Sequence, residues 1–359
     1  MKKIIIRIVI CFFTVIALAL TACLAVLFTI HYGPSKTFRD KFSLSAMESS
    51  AGDFLATWFL PDEVIAQIIA DSTIKPSDTV TDPGMIAINI GNEIAGSLGD
   101  EDSGEGNDEG GQLEYVDNFD EQGVYFVDIV KKNYKAKLMI VADPLRVSIG
   151  TPRGGYGENK AGETTVSMAK RTKSLAAVNG GGFIDGTRGT GNGGVPSGRN
   201  DTPGIVISEG QLLWGNLNTK YELIGFNSEG VLILGNMTGK QALNKDIREA
   251  LNFGPFLIIN GEKQNLRNGG GLNPRTAIGQ RKDGAVLLLV VEGRQPHSLG
   301  ATFNDLTQIF LEYGAVNAAN LDGGTSSFMV YENEIVTQRS TFLNPRRMAT
   351  SILVSRLEQ

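Results

Sequence analysis

The chain has 359 residues, enough for one large domain or two ordinary ones, and its 42% hydrophobic and 20% charged residues are typical of a globular protein. Its net charge of −6 argues against nucleic-acid binding, and its two histidines are too few for a histidine-rich zinc site. Cys11 and Cys23 both lie in the N-terminal apolar stretch, so the rest of the chain has no disulfide framework, which suits a bacterial cell surface.

The first predicted element is a single membrane-spanning helix. Three basic residues precede 23 residues without a charged side chain, from Ile8 to Ile30. About 20 apolar residues are enough to cross a bilayer, and a cleaved signal peptide normally has a shorter apolar part. The run also continues past Cys23, which argues against a lipoprotein signal. We therefore expect residues 1–33 to be an uncleaved signal anchor in the cell membrane, with everything after residue 33 outside.

Residues 34–75 are predicted to form a helical stalk beside the membrane. Pro61, Asp62 and Glu63 are typical of a helix start, and apolar residues follow at helical spacing. A small partner-binding module is the alternative interpretation of this segment.

Residues 76–121 are predicted to form an acidic, disordered linker. No lysine or arginine occurs between Pro76 and Val130, and ten acidic residues lie between Asp100 and Glu121. Such a segment cannot bury enough apolar surface to fold. Glu105 stands where a calcium loop needs glycine, so only loose cation binding is compatible with the spacing.

Residues 122–359 are predicted to form one α+β domain, rich in mixed β-sheet and poor in helices. Short apolar runs separated by glycine-rich turns predict strands, and they do not alternate regularly with helices as in a doubly wound fold. The predicted helices lie at "ETTVSMAKR", "KDIREALNFG" and "FNDLTQIFLEYG". In the last of these, Asn304 is the predicted cap and Gly314 the stop.

Polar residues recur in glycine-rich turns at the ends of the predicted strands, where binding and catalytic groups are commonly placed. They are Asn179, Asp185, Arg275, Glu292, Arg294, His297, Asp322 and Arg347. Each has a structural explanation when taken alone, because Asp-Gly-Gly is typical of a turn and Glu-Gly of a hairpin. Five such strand ends in one domain favour a functional site.

The segments that carry these residues resemble the phosphodiester glycosidase family. The resemblance covers residues 122–358 and rests on six segments in a fixed order: "NGGGFID" (179–185), "GPFLIING" (254–261), "NPRTAIGQ" (273–280), "VEGRQPHSLGAT" (291–302), "NLDGGTSS" (320–327) and "RMATSILV" (347–354). One departure is Thr325, where the family often has glycine, and this change would narrow the pocket or alter substrate choice.

The resemblance implies a hydrolase that cleaves the glycosidic bond of a sugar-1-phosphate diester in an envelope or exopolysaccharide glycan. An oxocarbenium-like transition state needs a carboxylate, and Asp322 and Glu292 are the implied catalytic residues, with their roles not divided. The leaving phosphodiester is an anion whose charge arginine forks stabilise. The implied substrate-binding residues are Asn179, Asp185, Arg275, Arg294, His297, Asn320, Ser326, Ser327 and Arg347.

Two other functions are compatible with the same residues. One is a glycan-binding module without turnover, and the other is a metal-dependent phosphodiesterase that cuts the P–O bond. The second would need Asp185, Glu292 and Asp322 as metal ligands, and the scarcity of histidine weakens it. A divalent cation is compatible with the sequence but no cofactor is required by it. The sequence predicts neither the sugar nor the oligomeric state.

Overall fold

The computed structural model describes residues 2–49, 52–88, 118–184, 192–341 and 344–357. The chain divides into two compact units, which are Met1–Thr73 with Gly270–Leu272 and Ile74–Gly269 with Asn273–Gln359.

The first unit is helical. Its helices are α1 (Lys2–Tyr32), α2 (Lys36–Met47), α3 (Phe54–Thr57) and α4 (Asp62–Ser72). Pro61 is the N-cap of α4, and acidic residues occupy its first turn, which confirms the predicted helix start. Leu44, Leu60 and Ile68 form a small buried core. Helix α1 is long and apolar enough to cross a membrane.

The second unit is built from antiparallel β-sheets. Its strands are β1 (Val124–Val130), β2 (Lys135–Val141), β3 (Val147–Gly150), β4 (Ala176–Asn179), β5 (Gly182–Phe183), β6 (Pro196–Ser197), β7 (Val206–Ser208), β8 (Gln211–Trp214), β9 (Lys220–Asn227), β10 (Leu232–Thr238), β11 (Ile247–Asn252), β12 (Phe256–Ile259), β13 (Glu262–Lys263), β14 (Arg275–Arg281), β15 (Val286–Val291), β16 (Ala315–Asn320), β17 (Met329–Tyr331), β18 (Glu334–Ile335) and β19 (Ser351–Val354). Its helices are α5 (Thr165–Thr172), α6 (Gly239–Leu243) and α7 (Phe303–Glu312).

Three sheets enclose the main core. The strand orders are β1-β2-β15-β14-β16-β12-β13, β10-β9-β11-β7-β8 and β18-β17-β4-β19-β3, and β5 pairs with β6. Within the described residues the strand pairs are antiparallel. All three sheets contribute to one hydrophobic cluster, to which β4, β9 and β14 supply Val178, Ile224 and Ile278. The prediction of a sheet-rich α+β domain with few helices is confirmed, but the described strand pairs are antiparallel, so the prediction of mixed sheets is wrong.

Two of the three predicted helices of this unit are present. Helix α5 begins after Thr164, whose side chain accepts a hydrogen bond from Ser167 N. Helix α7 is capped by Thr302, which forms a capping box with Asp305, so the prediction of Asn304 as the cap is wrong.

The third predicted helix, "KDIREALNFG", is wrong. Residues Ile247–Asn252 form strand β11, which pairs with β9 and β7. The helix-favouring residues of this segment are overruled because both faces of the strand are buried, with Ala250 and Leu251 in different hydrophobic clusters.

Part of the predicted linker belongs to the folded second unit. Thr81 N donates to Leu234 O at 2.9 Å, and Ala87 N donates to Lys282 O at 2.7 Å. Ile86 is buried in a hydrophobic cluster. For residues 80–88 the disordered assignment is therefore wrong, because this stretch has enough apolar side chains to pack. Residues 89–117 of the predicted linker lie outside the described residues.

Several strand ends meet at one end of the main core. Strand β14 begins with Arg275, and its neighbours β15 and β16 end at Val291 and Asn320. Strand β4 ends at Asn179, which is hydrogen-bonded to residue Asp322 just beyond β16. The glycine-rich segments singled out in the sequence therefore follow or precede strands that terminate together.

Candidate active site

Asp322 lies directly after β16 and begins a tight loop. Its backbone N–H donates to Gly180 O at 3.0 Å, and its carbonyl oxygen accepts from Asn179 Nδ2 at 2.6 Å. One carboxylate oxygen, Oδ1, accepts from Gly323 N at 2.8 Å. The residue is partly exposed. The main chain of Asp322 is thus fixed on both sides, which holds its carboxylate at a defined place on the surface.

Asn179 joins three chain segments beneath this loop. Besides donating to the Asp322 carbonyl, its amide oxygen accepts from Thr276 Oγ1 at 2.6 Å. Asn179 and Thr276 are both completely buried. Since both ends of the Asn179 amide are engaged, this residue positions Asp322 rather than facing a substrate.

The glycines around Asp322 are needed for close packing and for turning. A Cβ atom at Gly180 would lie 2.5 Å from Thr350 Oγ1, too close for any real side chain. Gly324 has a φ angle of 64°, in the left-handed region that favours glycine, and its N–H donates to Pro274 O at 2.9 Å. The loop is therefore attached to β4 and to the segment that leads into β14.

Arg294 lies against this loop at the surface. A Cβ atom at Gly324 would be 3.5 Å from both terminal nitrogens of the Arg294 guanidinium. One of these nitrogens, Nη2, donates to Asn273 Oδ1 at 2.9 Å. The side chain is exposed. Arg294 therefore places a fixed positive charge beside the two glycines that follow Asp322.

Arg275 and Arg347 are placed differently. Arg275 is only 6% exposed, its guanidinium lies 4.2 Å from the Phe303 ring centre, and its Nε donates to Ala301 O at 3.3 Å. Arg347 is exposed, whereas the neighbouring Arg346 lies 4.9 Å from the ring centre of Phe183. Arg346 is thus the member of this pair that contacts the "NGGGF" segment, and its position beside Arg347 in "NPRRMATS" is the signal that the sequence analysis missed.

Glu292 and His297 form a separate group. Glu292 Oε1 accepts from Gln338 N at 2.8 Å, and His297 Nε2 is 3.2 Å from Gln338 Oε1. Ser298 Oγ donates to the Glu292 carbonyl oxygen at 2.7 Å. One strand, β14, lies between the backbones of Glu292 and Asp322, so two strand spacings, about 10 Å, separate them.

The remaining predicted site residues are buried or outside the described residues. Asn320, Ser326 and Ser327 are buried, and Asn320 Nδ2 donates to Gly254 O at 2.9 Å. Asp185 lies outside the described residues. In the part of the chain that the structure describes, no group of three or more histidine, cysteine, aspartate or glutamate side chains is placed to hold a metal ion.

Glu222 is a further carboxyl at this end of the core that the sequence analysis missed. It lies on β9, and a Cβ atom at Gly254 would be 3.3 Å from its Oε1. Gly254 in turn donates its N–H to Asn320 O at 3.1 Å, two residues before Asp322. A charged residue inside the apolar run "YELIGF" is the signal that could have found it.

We expect Glu222→Gln to stabilise the protein at neutral pH. Burial raises the pKa of the Glu222 carboxyl, so the folded chain holds this proton more tightly than the unfolded chain does. The free energy of unfolding is therefore unaffected below the unfolded pKa, and it falls as the pH rises through the folded pKa. The gain in Tm of the variant over the parent should grow as the pH rises above the ordinary glutamate pKa of 4.5, as measured by thermal denaturation.

Glu249→Gln is the matched comparison, and we expect it to destabilise the protein rather than stabilise it. Burial raises the pKa of Glu249 too, but its two oxygens accept from Ile149 N at 2.8 Å and Glu209 N at 3.1 Å. An amide has one acceptor oxygen, so the variant leaves one backbone N–H without an acceptor, at a cost of about 1–3 kcal/mol. A destabilised Glu222→Gln variant would show that the Glu222 carboxylate is also needed as an acceptor.

The fold and the group around Asp322 define a sheet-rich α+β domain with a polar site where its strands end. Residues 172–355 match the family model described as phosphodiester glycosidase, so the chain belongs to the phosphodiester glycosidase family, a class of hydrolases. The resemblance expected from the sequence is thereby confirmed.

Known relatives and structures agree with this family. The chain is 31% identical over 200 residues to the SPbeta prophage-derived uncharacterized protein YomE of Bacillus subtilis, covering 53% of this chain and 29% of that protein. It is 27% identical over 256 residues to N-acetylglucosamine-1-phosphodiester alpha-N-acetylglucosaminidase of Bos taurus, and this match covers 64% of this chain and 46% of that protein. The chain thus spans less than half the length of these two relatives.

A solved structure shows the same fold. The zebrafish N-acetylglucosamine-1-phosphodiester alpha-N-acetylglucosaminidase catalytic domain superimposes with a TM-score of 0.53 at 24% identity, covering 65% of this chain and 82% of that one.

Proposed function

We propose that this protein hydrolyses the glycosidic bond of a sugar-1-phosphate diester in an envelope or exopolysaccharide glycan, while α1 anchors it as a signal anchor with the second unit outside the membrane. The observation that carries the proposal is a partly exposed carboxylate, Asp322, in the same loop as Gly324, against which the Arg294 guanidinium lies. Family membership supports the reaction class, and the bovine relative is named for a reaction of this kind.

The two charges suit the two halves of such a substrate. When the bond between the sugar C1 and the phosphate oxygen breaks, positive charge develops on the sugar ring and negative charge on the leaving phosphate. A carboxylate beside C1 stabilises or attacks the first, and a guanidinium stabilises the second through charge-assisted hydrogen bonds. Water then supplies a hydroxyl group to C1 and a proton to the medium. The products are a free sugar and a phosphomonoester.

Arg294 and Asp322 are the residues we propose for this chemistry, and the others support them. Asn179 and Gly180 hold the Asp322 loop in place through hydrogen bonds to its main chain. Glu292 sits beyond β14 with His297, where this second carboxylate would contact a more distant part of the substrate or a water molecule. Arg275 packs its guanidinium against the Phe303 ring at the start of β14.

Product analysis in isotopically labelled water tests the proposal. The purified chain is incubated with a synthetic GlcNAc-1-phosphodiester in water enriched in heavy oxygen, with and without a chelator. The proposal requires the label in the released sugar. Label in the phosphate, lost with chelator, would instead establish a metal-dependent phosphodiesterase, and saturable binding without any product would establish a glycan-binding module.

A further inference from the structure

Phe54 and Trp58 form an exposed aromatic pair in the first unit. Their ring centres are 5.1 Å apart. Trp58 is 78% exposed and Phe54 39%, although large aromatic side chains normally bury most of their surface. The buried core of this unit, around Leu44, Leu60 and Ile68, is complete without them. An exposed apolar patch of this kind indicates a contact surface.

Two side chains at the C-terminal end of α1 hold the segment that carries this aromatic pair beside the helix. His31 Nε2 is hydrogen-bonded to Leu55 O at 2.7 Å, and Tyr32 OH donates to Phe59 O. The His31 ring also stacks on the Phe59 ring, with centres 5.3 Å apart. Since Leu55 and Phe59 are the chain neighbours of the aromatic pair, the pair lies beside the last turn of α1.

The uncharged part of α1 has the length needed to cross a bilayer and to end at its edge. The uncharged run Ile8–Ile30 spans about 34 Å at about 1.5 Å per residue, close to the hydrocarbon thickness of about 30 Å. His31 and Tyr32 follow directly, at the level where tryptophan and tyrosine concentrate in membrane proteins.

We propose that the aromatic pair inserts into the interface of the bilayer that α1 crosses and holds α2–α4 against the membrane surface. The partner is a phospholipid surface, because α2 begins only four residues after Tyr32 and so continues directly from the segment that crosses the bilayer. An indole ring suits this depth, since its apolar body contacts acyl chains while its N–H reaches polar groups. The inference rests on the proposed anchor.

Tryptophan fluorescence tests the inference, because the chain has only two tryptophans, Trp58 and Trp214. The full chain is reconstituted in phosphatidylcholine–phosphatidylglycerol vesicles whose acyl chains carry bromine near the head group or near the terminal methyl. Trp214→Phe leaves Trp58 as the reporter, and Trp58→Phe leaves Trp214, which packs against Tyr156 in the second unit. The difference between the parent and Trp58→Phe gives the Trp58 signal even if Trp214→Phe folds poorly.

Trp58 emission should fall by about half or more with bromine near the head group and less with bromine near the methyl end. Trp214 emission should not change. Flotation of the vesicles tests the membrane anchor separately from the insertion of the aromatic pair. Protein that floats with the vesicles while Trp58 is quenched no more than Trp214 overturns the insertion and leaves the anchor intact. Protein that does not float overturns both.

Discussion

Asp322→Asn should lower turnover of a sugar-1-phosphodiester by at least about a hundredfold, or about 3 kcal/mol of transition-state stabilisation. The variant keeps the size of the side chain and an oxygen that can accept from Gly323 N. It also keeps both backbone hydrogen bonds of residue 322, to Gly180 and from Asn179. Only the negative charge is lost, so Tm should change little while kcat falls. Steady-state kinetics and thermal denaturation of the purified variant measure both.

Asp143→Asn is the matched control for this prediction. Asp143 is also partly exposed, and its Oδ1 accepts from the nearby Leu145 N at 2.8 Å, as Asp322 accepts from Gly323. The same chemical change at this turn should leave turnover unaltered. If Asp322→Asn folds normally and turns over like the parent, Asp322 has no part in the mechanism, and Glu292 becomes the carboxylate to test.

Arg294→Ala should reduce kcat/KM on a phosphodiester substrate by about a hundredfold, and by less than about tenfold on an activated glycoside with a neutral leaving group. The guanidinium lies against Gly324, where a departing phosphate would develop charge, and a neutral leaving group develops much less. General damage to the site would lower kcat/KM for both substrates. The ratio of the two kcat/KM values therefore reports the effect of Arg294 on the charge of the leaving group.

Arg267→Ala controls for the backbone at this position. Arg294 has a φ angle of 57° and Arg267 one of 52°, so alanine meets similar left-handed strain at both. Both side chains are exposed. Equal losses on the two substrates for Arg294→Ala, or a loss for Arg267→Ala of the same size, would refute a role for Arg294 at the phosphate.

The sequence predicted the backbone setting of the candidate site where a motif fixes it. Asp322 and Asn179 were predicted to lie in glycine-rich turns at strand ends and they do lie there, whereas their roles stay predictions. The division among the arginines was beyond prediction, since it depends on contacts between each guanidinium and residues far away in the sequence. Phe303, a helix residue 28 positions away, covers Arg275, and nothing local to "NPRTAIG" indicates this.

The fold was predictable at the level of class but not of every element. Helix α5 and helix α7 have local start signals, and both are present. Strand β11 has no such signal in its own residues, and its conformation is set by β9 and β7 on either side. The packing of residues 80–88 was missed for a similar reason. A few apolar side chains are enough to hold this segment in place, because they pack against a hydrophobic cluster formed by the sheets of the second unit.

The hydrogen bonds of Asn179 make the site a late product of folding. Its partners Thr276 and Asp322 are 97 and 143 residues away along the chain, so closing these contacts requires most of the second unit to be ordered. An intermediate that has not formed these two contacts lacks the hydrogen bond that fixes the main chain of Asp322. The appearance of turnover during refolding should therefore lag behind the appearance of strand structure, and activity would mark the moment at which assembly of the three sheets is complete.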